Sequence, residues 1–177
     1  MNTQMKKGLE WLKAATEEGF TYVKWDGTKI AKECPICHDH ARDGNHYGGN
    51  CIWLASAYLR HGMGMKNIKC ACNGLLGGDS AYTILFALPR GLAQVFIDSR
   101  LGRGRFRLIR NDHRTILKEK DLQPGDIILY YRPRRFWHVA VYIGDGKIID
   151  CASEPGGVTE RSWILQYPCK AALRYTG

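Results

Sequence analysis

The sequence predicts an α+β domain in which a helix carrying a cysteine packs on an antiparallel sheet. Three observations predict it. Apolar residues recur at helical spacing early in the chain, at Met5, Leu9, Leu12 and Ala15 and again at Leu54, Tyr58 and Leu59. The last third breaks into short runs of strand-forming residues separated by glycine-rich turns. Helical segments come first and strands follow, without the alternation of a parallel α/β sheet. A chain of 177 residues with ordinary apolar and charged fractions has length enough for one core, so a single domain over 1–177 is expected. Within it, 1–45 reads as a helix, a hairpin and a Cys/His-rich loop, and 46–177 as the main core with an insertion at about 63–120.

Residues 3–18 are predicted as an amphipathic helix, with Thr3 placed to cap it and Gly19 to end it. Phe20 to Trp25, Asp26-Gly27 and Thr28 to Ile30 carry the signal of a hairpin. Residues 33–50 are polar and read as a long loop. It leads to Tyr47-Gly48-Gly49-Asn50-Cys51, a glycine turn that delivers Cys51 to the first turn of a helix. Asn50 is suited to its cap, and His61-Gly62 to its end. Residues 63–78 look irregular and 79–101 helical, with a break at Pro89. The basic run Arg100 to Arg110 contains Phe106, Leu108 and Ile109, which suggest a short edge strand. After a turn at Leu122-Gln123-Pro124-Gly125-Asp126, strands are expected over 127–131, 137–143, 147–152 and 171–175.

A thiol at a helix start feels the positive end of the peptide dipoles, which favours the thiolate and makes Cys51 a candidate nucleophile. A base for it is sought in the hairpin around Gly144-Asp145-Gly146, whose register can be tested on paper. A two-residue loop would put Asp150 beside Val141 on an apolar face, where a lone carboxylate is costly. A three-residue loop with Gly146 left-handed instead gives one face of Val139, Val141, Ile143, Ile149 and Cys151. The other face then holds His138, Ala140, Tyr142, Ile148 and Asp150, with the carboxylate diagonal to the imidazole. A carboxylate in that position fixes the tautomer and orientation of the ring, leaving the second nitrogen for the nucleophile.

Net charge is +9, which implies an anionic partner or surroundings: nucleic acid, a membrane surface or an anionic polymer. Seven cysteines, an odd number unevenly spaced, fit a mostly reduced protein better than a disulfide scaffold. Cys34-Pro35-Ile36-Cys37 has the spacing of a zinc half-site that Cys70 and Cys72 would complete, as a structural site if it forms. Trp137 beside His138 either walls the site against water or fills the core. The sequence shows no signal peptide and no apolar run of membrane-spanning length. The expectation is a protein made in the cytoplasm, without membrane insertion.

Asn50-Cys51 entering a helix, the Leu122 to Ile128 segment and His138-Val139-Ala140-Val141-Tyr142-Ile143-Gly144-Asp145-Gly146-Lys147-Ile148-Ile149-Asp150 together resemble the NlpC-type papain-like cysteine peptidases of bacterial cell-wall turnover. The resemblance covers about 46–152, its His138 segment being the most specific part. It departs at Asn50, Ile52-Trp53 and Asp150, where the family usually has Asp, Ser-Gly and His. It implies a papain-like fold and a cysteine endopeptidase that cuts amide bonds in peptidoglycan stem peptides. Cys51 is implied as nucleophile, His138 as base and Asp150 as the third residue, with no cofactor. Tyr47 matches a tyrosine that the family often carries near the oxyanion site, and the Cys51 backbone amide is a second oxyanion donor. Peptidoglycan, not nucleic acid, becomes the expected anionic partner, reached after lysis, by phage delivery or by non-classical export. Oligomeric state is left open. Two alternatives stand beside this reading. One is a papain-like acyltransferase or amidase acting on another substrate. The other is a non-enzymatic zinc or nucleic-acid module built on the paired cysteines and the basic run.

Overall fold

The protein, described here as a computed structural model, is defined at residues 1–20, 34, 36, 51–66, 104–109, 117–132, 135–154, 156–163 and 169–177. Helix α1 spans Thr3–Glu17 and buries Met5, Leu9, Leu12 and Ala15, the stripe expected from their spacing. Its cap is Asn2 and not Thr3: the Asn2 side chain accepts from the Met5 amide at 2.8 Å. The residue one place earlier satisfies an otherwise unpaired first-turn N–H, so Thr3 is already helical. Gly19, at φ 70°, supplies the left-handed exit.

Helix α2 spans Cys51–Ala57 and runs on into a π-helical turn at Tyr58–Gly62. The left-handed residue that follows it is Gly64, at φ 72°, rather than Gly62. Gly62 is instead needed for close approach. A Cβ there would stand 3.0 Å from the Cα of Gly8, and one on Gly8 would stand 2.7 Å from the Tyr58 ring. The two glycines therefore let α1 and the end of the second helix cross almost in backbone contact.

Strands β1 (Phe106–Ile109), β2 (Ile127–Arg132), β3 (Arg135–Gly144), β4 (Lys147–Ala152), β5 (Gly157–Ser162) and β6 (Cys169–Tyr175) form one sheet. Their order is β1-β6-β2-β3-β4-β5, with every neighbouring pair antiparallel. Helices preceding an antiparallel sheet make this an α+β fold. The basic segment contributes β1 at one edge, where Phe106 is buried and Arg107 exposed. At the other edge lies β5, which the sequence pattern does not announce. Its alternate side chains reach solvent and only Gly157 and Val158 are fully buried, so no apolar run marks it.

Both faces of the sheet are covered. Val139, Val141, Ile149 and Cys151 pack with Leu12, Trp53, Leu54 and Tyr58 beneath the helices. Ala140, Tyr142 and Ile148 pack on the opposite face with Ile128, Tyr130, Leu117 and Leu122. The β3–β4 hairpin corrects one detail of the paper register. The turn is the two-residue Asp145-Gly146, with both φ angles positive (51° and 66°) and Gly144 paired to Lys147. That is the turn whose twist suits a hairpin. An irregularity between Tyr142 and Gly144 then shifts the register, so that Tyr142 faces Ile148 and Val141 faces Ile149. A bulge on β3 thus takes up the extra residue that the three-residue loop was invoked to hold, and the expected pairing survives.

Candidate active site

Cys51 is the first residue of α2 and is half-buried against the core under the helices. Two buried side chains seat this helix. Trp53 lies edge-on to Phe20, with ring centroids 5.6 Å apart, and its indole N–H donates to the Cys34 sulfur at 3.5 Å. Tyr58 reaches the Gly125 carbonyl at 3.4 Å. The tryptophan that departs from the family pattern is therefore a core anchor of the helix.

His138 comes from β3, opposite Tyr130 of β2, whose ring lies 6.1 Å from the imidazole. Its side chain is 12% exposed, while that of Asp150 on β4 is fully buried. The His138 Nε2 lies 2.6 Å from Asp150 Oδ2. The imidazole also hydrogen-bonds the Cys51 thiol, and with Nε2 engaged by the carboxylate, Nδ1 is the nitrogen left for sulfur. The Val139 backbone N–H makes a further hydrogen bond to the sulfur.

The electrostatics follow from this arrangement. Burial by itself would raise the Cys51 thiol. The charge and hydrogen bond of His138, with the Val139 amide, outweigh burial and the opposing charge of Asp150, and hold the thiol below its ordinary value. Burial by itself would also lower the imidazolium. The facing thiolate and the Asp150 hydrogen bond push His138 up to about 9. Both shifts favour the same species, a thiolate–imidazolium ion pair. Cys151 goes the other way: it is buried beneath the helices, and burial pushes its thiol well above the usual range. Proximity in sequence to Asp150 does not make it a rival nucleophile.

Asp150 is fastened from a side that sequence reasoning missed. Asp150 faces Thr159 across β4 and β5, and Arg161 lies two residues further along. Arg161 Nε donates to Asp150 Oδ2 at 2.9 Å, and its Nη2 donates to the same oxygen. The available signal was a basic residue in a polar segment following Asp150, which without the strand assignment points nowhere in particular.

Tyr47 and Asn50 lie outside the described residues, as does the side chain of Trp137. Of the cysteines considered for zinc, Cys34 is buried in the core against Trp53, and Cys37, Cys70 and Cys72 lie outside the described residues. Among the described residues no cluster of three or more His, Cys, Asp or Glu side chains could hold a metal. No helix among them is long and apolar enough to cross a membrane.

No family model matches the sequence, and no curated protein matches it. Solved structures do. The chain is similar over 98% of its length to the peptidoglycan hydrolase RipB of Mycobacterium tuberculosis, at 18% identity and a TM-score of 0.48, spanning 67% of that chain. It is similar over 98% of its length to NlpC1 of Trichomonas vaginalis, at 16% identity and a TM-score of 0.48, spanning 45% of that chain. It is similar over 96% of its length to the P60 domain of antigen MAP1204 from M. avium subspecies paratuberculosis, at 17% identity and a TM-score of 0.44, spanning 96% of that chain. These are distant likenesses, of shape alone.

Proposed function

We propose that the protein is a cysteine peptidase that hydrolyses amide bonds in peptidoglycan stem peptides through a thioester acyl-enzyme. One observation carries the reading: a half-buried thiol hydrogen-bonded to an imidazole whose far nitrogen is 2.6 Å from a fully buried carboxylate. In this reading the Cys51 thiolate attacks the amide carbon, and the Cys51 backbone amide stabilises the oxyanion. The His138 imidazolium gives its proton to the leaving amine as the carbon–nitrogen bond breaks, leaving a thioester. Neutral His138 then takes a proton from water, whose oxygen attacks the thioester and releases the acid and the thiolate. Asp150 keeps the ring in one orientation throughout.

The substrate class is supported by the resemblance of the His138 segment to the NlpC-type peptidases and by the net charge of +9, which suits an anionic wall. The test compares wild type with Cys51→Ala on purified peptidoglycan, with the released fragments identified by mass. Wild type is expected to release peptide fragments and Cys51→Ala none. Equal release by both would end the nucleophile assignment. Activity on thioester or ester donors with none on peptidoglycan would replace the peptidase with an acyltransferase on the same site.

A further inference from the structure

We propose that Arg161 is a positioning residue of this site, the permanent counter-charge that holds the Asp150 carboxylate in place and aimed at His138 while the imidazole changes charge. This role rests on the reading of Cys51 and His138 as nucleophile and base. Three N–H groups converge on one carboxylate oxygen. Asp150 Oδ2 accepts from His138 Nε2 at 2.6 Å, from Arg161 Nε at 2.9 Å and from Arg161 Nη2. The guanidinium is itself held in place, its Nη1 lying 3.5 Å from the Glu154 carbonyl in the turn between β4 and β5. The other oxygen, Oδ1, is buried with no hydrogen-bond partner, as is the hydroxyl of Thr159 opposite it. The charge of Asp150 is therefore held from one side.

A carboxylate with no exposure to water is costly to bury unless a cation and N–H donors compensate it. Among the described residues two cations meet Asp150, the imidazolium and the guanidinium. The imidazolium is lost each time His138 protonates a leaving amine, whereas a guanidinium holds its charge throughout. Among the described residues the other titratable groups around the pair are Cys51 from α2, Tyr130 from β2 and Cys151 on the reverse face of β4, none of them a cation. Arg161 thus stands where an otherwise intermittent charge balance needs a constant term. By offsetting the charge of Asp150 it also weakens the repulsion that this carboxylate exerts on the Cys51 thiolate. The guanidinium is 30% exposed at its side chain, so it does this at the rim of the site.

The test reads iodoacetamide alkylation of Cys51 against pH, by mass of the modified peptide, in wild type, Arg161→Met and Arg161→Lys, with folding checked by circular dichroism. Arg161→Met is expected to displace the acid limb of the profile upward by about one pH unit, about tenfold in rate on that limb. Arg161→Lys, which keeps the charge but not the fork, is expected to recover at least half of the displacement. An Arg161→Met profile superimposed on wild type would overturn the proposal, as would folded Lys and Met variants that behave alike. If Arg161→Met does not fold, Arg161→Gln, which keeps an N–H donor without the charge, replaces it under the same two outcomes. Should wild-type Cys51 alkylate no faster than the other cysteines, the nucleophile reading and this one fall together. Selective wild-type alkylation that ignores residue 161 removes only the role given to Arg161.

Discussion

Asp126 and Asp150 are both fully buried, and each meets an arginine. Asp126 closes the Pro124-Gly125 turn before β2. Its Oδ1 accepts from Arg174 Nε at 2.9 Å, and its Oδ2 accepts from Arg174 Nη2 at 2.6 Å and from the Gln123 amide at 2.8 Å. The same Nη2 also reaches the Asp121 carbonyl at 2.9 Å. Both oxygens are used, the guanidinium is engaged in a fork, and the turn is tied to β6. Asp150 gathers its partners on one oxygen, leaves the other bare, and shares its charge with an imidazole that touches a thiol. A buried carboxylate satisfied at both oxygens fastens a fold. One satisfied on one side, facing a titrating group, fits the role proposed for Asp150, at some cost in hydrogen bonding.

Substituting each aspartate by asparagine separates the two. The largest effect is expected from Asp126→Asn, which leaves a buried guanidinium without its carboxylate: a loss of about 3 kcal/mol in urea unfolding. The rate of Cys51 alkylation should not change in the folded fraction. If that rate falls with stability, the turn and the site are coupled and the contrast between the two carboxylates is lost. Asp150→Asn is expected to cost less stability, about 1–2 kcal/mol, because its arginine is partly exposed and can turn to water. It should slow Cys51 alkylation at neutral pH about tenfold, since the neutral amide holds the imidazolium less well. An Asp150→Asn protein with wild-type alkylation would place Asp150 beside Asp126 as a purely structural group.

The smallest effect is in the wild-type pH profile of hydrolysis. In the proposed mechanism His138 must be protonated to supply the leaving amine, and the facing thiolate and Asp150 push its pKa up to about 9. The protonated fraction is complete at neutral pH and is lost as pH rises through that value. The rate constant kcat/KM should therefore be half its plateau at about pH 9, and in Asp150→Asn that midpoint should move down. A plateau that continues well beyond pH 9, or a midpoint that does not move, would remove Asp150 from the control of His138.

Much of this was legible in the chain. The stripe of α1 and the limits of β4 follow from apolar spacing. Only one hairpin pairing keeps Asp150 off the apolar face, and it is the pairing observed, with a different turn. A two-residue turn plus a bulge near Ile143 gives the same pairing as the three-residue loop. Sequence patterns count residues between faces and cannot distinguish where the extra one is stored. Strand β5 was not legible, because GVTERS has no apolar alternation to read. Arg161 was hidden with it.

The sequence by itself determined which side chains share a face. Side-chain direction alternates along a strand and repeats around a helix, so local spacing is enough to put His138 with Asp150 and to turn Cys151 into the core. Only the tertiary structure decided how each buried charge is completed. Arg174 lies 48 residues from Asp126, and Arg161 reaches Asp150 through a strand that announces nothing in its pattern. Electrostatic partnership depends on distance in space and on exclusion of water, and neither is written in the spacing of residues along the chain.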